Sequence, residues 1–454
     1  MSRSAAIQEH EVVRLYLRRV CGHIKAKSVH SDIQQELLAH LEELVEEKEQ
    51  EGYGQKEAIR LAVAQMGDPD DVGRQFHQAH KPRANWGLLA LVAVFVAIAL
   101  TAMYSVQLAG NQRMTTDFLV NKMVYIGIGL GIMAGLYFFF DYRKLQKYSW
   151  HLYGLTVLVM IVLAYFGNQV NGKKGWISIP YFTFDGVWIC LHLFILSIIG
   201  ILLRSSEKAA TAGKGRRIVY GLKDMLFCFV LPCLLFLSMS THTYLFIYLT
   251  CLVIVMTVYV RRWLLLSSGM LAAVVMLGLY LLFDRSFQYI LSERLSSFLK
   301  LTDNPDSTYM TRMSVQAIHD GGLWGQGFGV SNRTLPFIHS EMIFTYLTYS
   351  MGWVMAGLIL TVVIMFMAQI GIMISRLRDR YAKGLVIGLF SILCLQFLWC
   401  IGMSFGWLPM TEMRLPFISY GGTSTLLELS AIGLFLSAYR RKDMIPSPSQ
   451  PLQT

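Results

Sequence analysis

Charged and hydroxyl-bearing residues in front of the last apolar segment are the first candidates for chemistry in this sequence. The stretch RLPFISYGGTSTLLELSAIGLFL starts at Arg414 and places Ser419, Tyr420, Gly421 and Gly422 ahead of a helix-forming run. Glycines at a helix start let backbone N–H groups face outward at the positive end of the helix dipole, which receives anions such as phosphate. The guanidinium group of Arg414 suits phosphate oxygens. The same residues also fit a plain helix cap at a membrane interface, and the stretch alone does not decide between the two.

A second set of ionisable residues lies in the long connection 284–340. Asp303 and Asp306, in LTDNPDSTY, are candidates for a general base, and Arg312 and Arg333 are candidate anion-binding cations. Asp, Asn, Pro and Ser are also ordinary turn residues, so DNPDST taken alone favours a solvent-exposed turn.

The end of this connection carries further candidates. His339 and Glu341 stand where the next apolar segment begins, although Ser340 and Glu341 also fit an ordinary helix N-terminus. Two stretches of the connection, FQYILSERLSSFL and MTRMSVQAIHDGGLWGQGFG, have helical spacing. Connections of this length are usually functional or disordered. Because this one has helical patterns, we expect ordered structure that acts on a substrate at this face.

The composition indicates what must position these residues. Of 454 residues, 54% are hydrophobic and 15% are charged, whereas a soluble domain carries roughly a quarter charged residues. The apolar residues form blocks of about 20, the length that crosses ~30 Å of hydrocarbon. The sequence therefore predicts an all-α, polytopic membrane protein with about ten transmembrane helices. The predicted spans are 86–107, 121–140, 149–167, 184–203, 218–238, 241–259, 264–283, 341–371, 384–405 and 420–439.

The distribution of Lys and Arg predicts the orientation, because short cytoplasmic loops carry an excess of these residues. The basic loops hold Arg143, Lys144 and Lys147; Arg204, Lys208, Lys214, Arg216 and Arg217; Arg261 and Arg262; Arg376, Arg378, Arg380 and Lys383; and Arg440, Arg441 and Lys442. The intervening short loops hold only Arg113, Lys173 and Lys174, and Arg414. Both termini are expected in the cytoplasm and the long connection outside, so the net charge of +11 is no sign of nucleic-acid binding.

The first 82 residues differ from the rest of the chain. They carry 14 of the 29 acidic residues and several amphipathic helical patterns, such as SDIQQELLAHLEELVEEKEQEG. We expect a small cytoplasmic helical domain that docks a regulator, although a folded cap without a partner fits as well. The polar N-terminus predicts no cleavable signal peptide, and residues 443–454 are expected to form a cytoplasmic tail.

Several motifs of the apolar region resemble the SEDS proteins, the RodA/FtsW/SpoVE family. LPFISYGGTSTLLELSAIGLFLS is similar to the C-terminal signature of the family. GGLWGQGFGVSNRTLPFIHSEMIF resembles its glycine-rich segment followed by LP..HTDFIF; NGKKGWI resembles NGAxRWI, and MYSVQ resembles YSAS. The resemblance covers residues 86–442 and implies a ten-span fold with a large outer loop.

The resemblance implies a glycosyltransferase that polymerises the undecaprenyl-pyrophosphate-linked disaccharide-peptide of peptidoglycan, lipid II. The base of the family is an aspartate six positions before a tyrosine, which corresponds to Asp303 when counted back from Tyr309; Asp306 is the competing residue. The implied substrate-binding residues are Arg312, Arg333, His339, Glu341, Arg414, Ser419, Tyr420, Gly421 and Gly422. A single-span class B penicillin-binding transpeptidase is the implied partner. Because the histidines show no clustered spacing, no protein-bound metal or cofactor is expected, and a Mg²⁺ ion that arrives with the substrate stays open.

The chain also departs from the family pattern. QPSExxK and PDLG have no counterpart, and the aligned position of the QPSExxK lysine holds Leu191. Glu412, Arg414 and Glu428 stand where the family has other residues. Two alternatives therefore stay open: a transporter or flippase of a lipid-linked precursor, and a non-catalytic scaffold for cell-wall enzymes.

Overall fold

The computed structural model describes residues 7, 10–23, 30–79, 85–110, 117–170, 173–179, 182–285, 288, 291–292 and 305–442. The chain separates into two compact units, one formed by Met1–Ala84 with Ala438–Thr454 and one formed by Asn85–Ser437. Helices dominate both units, so the predicted all-α membrane class is confirmed.

Within its described residues, the N-terminal unit contains four helices: α1 (Glu11–His23), α2 (His30–Gln50), α3 (Gln55–Gln65) and α4 (Pro69–Ala79). Their apolar stripes meet in one core, whose buried members include Val20, Leu41 and Ile59. Gly52 and Gly67 follow α2 and α3 with φ angles of 97° and 89°, the left-handed conformation in which helices commonly end. The amphipathic pattern of the sequence is thus satisfied within the unit itself.

The second unit is a bundle of long apolar helices. Its elements are α5 (Trp86–Ala109), α6 (Phe118–Phe138), α7 (Arg143–Lys147), α8 (Ser149–Phe166), β1 (Asn168–Val170), β2 (Lys173–Ile179), β3 (Phe182–Asp185), α9 (Gly186–Thr211), α10 (Lys214–Ser238), α11 (His242–Val260), α12 (Trp263–Phe283), α13 (Pro305–Gly321), α14 (Ile343–Arg376), α15 (Arg380–Ser404) and α16 (Gly422–Arg440). Within the described ranges, nine of these helices are long and apolar enough to cross a membrane: α5, α6, α8 to α12, α14 and α15. Both α10 and α11 contain a π-helical segment, Leu226–Val230 and Val255–Val260.

The predicted tenth span corresponds to α16, whose first turns are polar. It runs parallel to α6 along most of its length. A Cβ atom on Gly129 would lie 2.5 Å from Leu429 Cδ1, and one on Gly433 would lie 2.9 Å from the Met133 carbonyl oxygen. Further along, Ser437 Oγ donates to the carbonyl of Phe140 at 2.8 Å. Since α16 accompanies a membrane-spanning helix over this distance, it crosses the same layer.

A small antiparallel sheet connects α8 to α9, which the sequence analysis did not predict. The strands pair in the order β1-β2-β3, with Trp176 opposite Asp185. Strand β3 leads directly into α9, and Asp185 Oδ1 accepts a hydrogen bond from Trp188 N at 3.0 Å as the helix cap. The sheet therefore fixes the position of Asp185 at the entrance to α9.

Helix α14 is broken at Gly352, where φ is 78° and ψ is −178°. The glycine-rich segment after α13 pairs with this break: Trp353 N donates to Gly322 O and Gln326 N donates to Tyr349 O, both at 2.9 Å. A Cβ on Gly352 would lie 2.2 Å from the Leu323 carbonyl oxygen, so only glycine allows this approach. The predicted helix of the long connection is present as α13, whereas the stretch FQYILSERLSSFL lies largely outside the described residues.

Candidate functional site

The segment between α15 and α16 is fastened to the segment that precedes α14. These two segments, α13 and the sheet lie at the same end of the bundle, which we call the loop end. Tyr420 N donates to the His339 carbonyl at 2.7 Å, and Ser419 Oγ donates to the Ser340 carbonyl at 3.0 Å. Ser419 Oγ also accepts from Leu415 N at 2.8 Å. His339, Ser419 and Tyr420, which the sequence placed in one substrate site, are therefore neighbours.

Arg414 lies against the glycine pair at the start of α16. A Cβ atom on Gly421 would lie 2.7 Å from Arg414 Nη1, and one on Gly422 would lie 2.5 Å from the ring of Tyr125. The first backbone N–H groups of a helix lack intrahelical acceptors and carry the positive end of its dipole. The guanidinium group and this helix start thus form one positively polarised surface.

His339 belongs to an aromatic cluster beside this surface. Its ring stacks on Phe118 with centroids 4.9 Å apart, and Tyr420 meets the same Phe118 ring edge-on at 5.0 Å. Burial lowers the pKa of His339; the charge of Glu341 opposes this effect and that of Arg414 reinforces it. The imidazole is therefore neutral near pH 7 and does not add to the positive charge of the surface.

A buried lysine supports the same segment, and the sequence analysis missed it. Lys122 of α6 is completely buried, and its Nζ donates to Ser419 O and to Thr425 Oγ1, each at 2.8 Å. A lysine in an apolar helix is costly and marks a functional position. This signal was visible in the run FLVNKMVYIGIGL, but Lys122 stands at the very edge of the predicted span.

Glu428 provides the acidic counterpart. It is 3% exposed, and its Oε2 accepts from Phe417 N at 2.6 Å. Phe417 has a φ of 65°, a left-handed conformation that is uncommon for a bulky residue and requires support from its surroundings. The ammonium group of Lys122, bound to Ser419, and the carboxylate of Glu428, bound to Phe417, therefore hold the backbone segment that carries Arg414.

Asp185 connects the small sheet to the same region. Its backbone N–H donates to Thr423 Oγ1 at 2.9 Å, and its Oδ2 accepts from the hydroxyl of Tyr244. Through these contacts the start of α9, α11 and the first turn of α16 meet at one buried residue, Asp185, which is 7% exposed. Asp185 was not among the site residues that the sequence predicted.

Comparison with known proteins settles the family. The model of the FtsW/RodA/SpoVE family, described as "Cell cycle protein", matches residues 83–444. This chain is a member of the FtsW/RodA/SpoVE family. Curated relatives include a probable peptidoglycan glycosyltransferase FtsW of Coxiella burnetii, 27% identical over 383 residues, which cover 78% of this chain and 97% of the relative. The stage V sporulation protein E of Bacillus subtilis is 26% identical over 363 residues, which cover 78% of this chain and 96% of that protein.

Solved structures share the fold of this FtsW/RodA/SpoVE member. One is a chain from a study of the structural coordination of polymerization and crosslinking by a peptidoglycan synthase complex. It has a TM-score of 0.62 and 22% identity, and the match covers 79% of this chain and 98% of that chain. The rod-shape-determining protein RodA of Thermus thermophilus matches with a TM-score of 0.54 and 20% identity, over 79% and 97% of the two chains.

Among the other predicted residues of this FtsW/RodA/SpoVE chain, the described ones make no hydrogen bond to Arg414 or to the start of α16. Arg312 and Arg333 are exposed, and neither makes a hydrogen bond or ion pair with another described residue. The carboxylate of Glu341 accepts from the neighbouring Ser340 hydroxyl. Asp303 lies outside the described residues; the backbone of Asp306 is in the first turn of α13, but its side chain also lies outside them. In the part of the chain that the structure describes, no group of three or more His, Cys, Asp or Glu side chains could hold a metal.

Proposed function

We propose that this protein polymerises lipid II by glycosyl transfer at the outer face of the bacterial cytoplasmic membrane, in cell-wall synthesis. The observation that carries the proposal is the contact between Arg414 and Gly421 at the positive end of α16. A diphosphate leaving group requires such a preorganised, positively polarised surface, and the apolar bundle beside it suits a prenyl chain. The names of the relatives, peptidoglycan glycosyltransferases of the same family, support the same activity.

The reaction joins two lipid-linked sugars. A sugar hydroxyl of one attacks the anomeric carbon of the other; the new C–O bond forms as the bond to undecaprenyl pyrophosphate breaks, and a base takes the hydroxyl proton. We assign the base to Asp303, with Asp306 as the competing residue, because a carboxylate in reach of the hydroxyl is the natural acceptor. Arg414 and the Gly421–Gly422 turn would hold the departing diphosphate, and Arg312 and Arg333 are further cations of the same connection.

The position of the buried charges favours surface chemistry over transport. Lys122 is the fifth residue of α6 and Glu428 is the seventh of α16, so both lie on the loop-end side of their helices. A transporter places its ionisable residues near the bilayer midplane. Glycosyl transfer at the loop end therefore accounts better for these residues than flipping of the precursor does.

The orientation and the partners belong to the same proposal. The Lys/Arg-rich connections lie at the end opposite to the loop end, and this distribution supports an orientation with the loop end outside and both termini in the cytoplasm. A class B penicillin-binding transpeptidase is the proposed partner, because a structural relative belongs to a complex that coordinates polymerization and crosslinking. Residues 1–82 would dock a cytoplasmic regulator, and a Mg²⁺ ion carried by the substrate is compatible with the site.

The test is glycan polymerisation by the purified full chain with lipid II, with and without the candidate transpeptidase, resolved on gels. Asp303→Asn should reduce the rate by roughly 10²–10⁴-fold, the usual contribution of a general base. Asp320→Asn, an exposed residue at the end of α13, is the matched control and should retain activity. Normal polymerisation by Asp303→Asn together with loss in Asp306→Asn would move the base to Asp306. Wild-type protein that forms no glycan with any partner would favour the scaffold.

A further inference from the structure

A cavity lies at the end of the bundle away from the candidate site. Its volume is about 810 Å³, and it lies between the C-terminal end of α9, the first half of α10, the end of α11 and the start of α12. Ile218, Leu222 and Leu264 line it, and these side chains are 62%, 58% and 88% exposed within the protein. Because α10 and α12 are membrane-spanning helices, apolar side chains on this wall require acyl chains to cover them.

Three arginines form the rim of the cavity: Arg217, Arg261 and Arg262. Arg262 is anchored, since its Nη1 lies 2.5 Å from Oδ2 of Asp224, a 2% exposed residue that also accepts from Ser205 Oγ at 2.6 Å. Its charge is therefore matched inside the protein.

The other two arginines keep their charge available. Arg217 donates only a long hydrogen bond of 3.4 Å to the Ala209 carbonyl, and Arg261 is exposed with its backbone at a left-handed φ of 54°. No ion pair joins either guanidinium to a carboxylate of the described ranges. The rim thus carries two positive charges that an external anion can neutralise.

The start of α12 adds to this positive potential. No side chain caps the helix at Arg262, and the first helical hydrogen bond is the one from Leu266 N to Arg262 O. The preceding amides are left without intrahelical acceptors at the positive end of the dipole. A ligand that fits this cavity must have an apolar part that covers the walls and an anionic part that neutralises the two arginines of the rim.

We propose that this cavity binds one anionic phospholipid, with its phosphodiester between Arg217 and Arg261 and its acyl chains along Ile218, Leu222 and Leu264. A zwitterionic lipid satisfies the walls but brings its own cation to a rim that is already positive. Free phosphate satisfies the rim but leaves the walls uncovered. The bound lipid would join α10 to α12 across the cavity and stabilise the packing of this half of the bundle.

The test uses the purified full chain and phosphatidylglycerol, phosphatidylcholine or inorganic phosphate, with retained lipid counted by native mass spectrometry and thermal unfolding measured in parallel. The variant is Arg217→Gln with Arg261→Gln, and the matched control is Arg376→Gln with Arg378→Gln, two exposed arginines of another basic connection at the same end. Phosphatidylglycerol should bind and raise Tm in the wild type and the control. Affinity of the cavity variant should fall about fivefold for each arginine, about 25-fold together.

Phosphatidylcholine should bind weakly and equally to all three proteins, and inorganic phosphate should leave Tm unchanged. Leu222→Trp, which fills the cavity without touching the arginines, should also lower phosphatidylglycerol retention. The proposal would be overturned if the wild type, the Arg217→Gln/Arg261→Gln variant and the Leu222→Trp variant retained equal amounts of phosphatidylglycerol. It would also be overturned if the wild type retained phosphatidylglycerol and phosphatidylcholine equally.

Discussion

The Nζ atom of Lys122 lies 2.8 Å from the carbonyl oxygen of Ser419, which joins the interior of α6 to the segment that carries Arg414. The ammonium group also donates to Thr425 Oγ1 in the first turns of α16. One buried cation therefore sets the distance between two parallel helices and orients the backbone that leads into the glycine pair.

Lys122→Met should reduce glycan polymerisation and destabilise the bundle. It removes two hydrogen bonds from a charged donor, and a hydrogen bond to a charged group typically contributes about 1.5–3 kcal/mol. The measurement is Tm in detergent together with the polymerisation rate. Combining it with Glu428→Gln, which keeps an acceptor for Phe417 N, should recover part of the stability. Lys144→Met, an exposed lysine in the connection between α6 and α8, serves as control. A Lys122→Met protein as active as this control would contradict a positioning role.

Gly421→Ala should separate activity from stability. The added methyl group would lie 2.7 Å from Arg414 Nη1, the flexible end of a side chain, so the guanidinium moves while the fold persists. We expect about tenfold slower polymerisation, equivalent to ~1.4 kcal/mol of transition-state stabilisation, with Tm nearly unchanged. Gly131→Ala, where the methyl group would meet open space, is the control and should keep full activity. If Arg414→Gln and Gly421→Ala act through one group, their combination should be no slower than Arg414→Gln alone; fully additive effects would show that they act separately.

The pH dependence of stability should report on His339. Because burial lowers its pKa, the folded protein favours the neutral ring, and its stability is complete above the ordinary histidine pKa of about 6.5. Stability should decline as the pH falls from there toward the lowered pKa of the folded state. His339→Asn should show a smaller decline in Tm over this window. The control is His319→Asn, whose side chain is 92% exposed in the wild type and should leave the profile unchanged. An identical profile for both variants would exclude His339 as the source.

Leu41→Ala should unfold the N-terminal unit selectively. Leu41 is 2% exposed in the core of that unit, and truncation of a buried leucine costs about 2–5 kcal/mol. Limited proteolysis should then cleave within residues 30–79 while the membrane bundle stays intact, and polymerisation by the purified chain should persist. Gln35→Ala, at an exposed position of the same helix, should resist cleavage like the wild type. Loss of the bundle together with the unit would contradict independent folding.

Local sequence rules predicted much of this fold. The apolar blocks located the membrane helices, and the pattern MTRMSVQAIHDGG predicted α13 because helical periodicity and terminal glycines act over a few residues. Strands β2 and β3 were missed, since they are short and lie inside a stretch dominated by membrane helices. At the candidate site, two motifs of the family indicated His339 and the run Ser419, Tyr420 and Gly421, whereas Lys122 was missed. Its contact to Ser419 spans 297 residues of chain, and no local pattern encodes such a pairing.

The break in α14 ties the glycine-rich segment after α13 to the membrane bundle. The backbone after α13 is hydrogen-bonded to α14 on both sides of Gly352, as a strand would be to its neighbour. A pull on α13 is therefore transmitted to the portion of α14 that begins next to His339. A protein that bound α13 would therefore act on the interior of the bundle without entering the membrane itself.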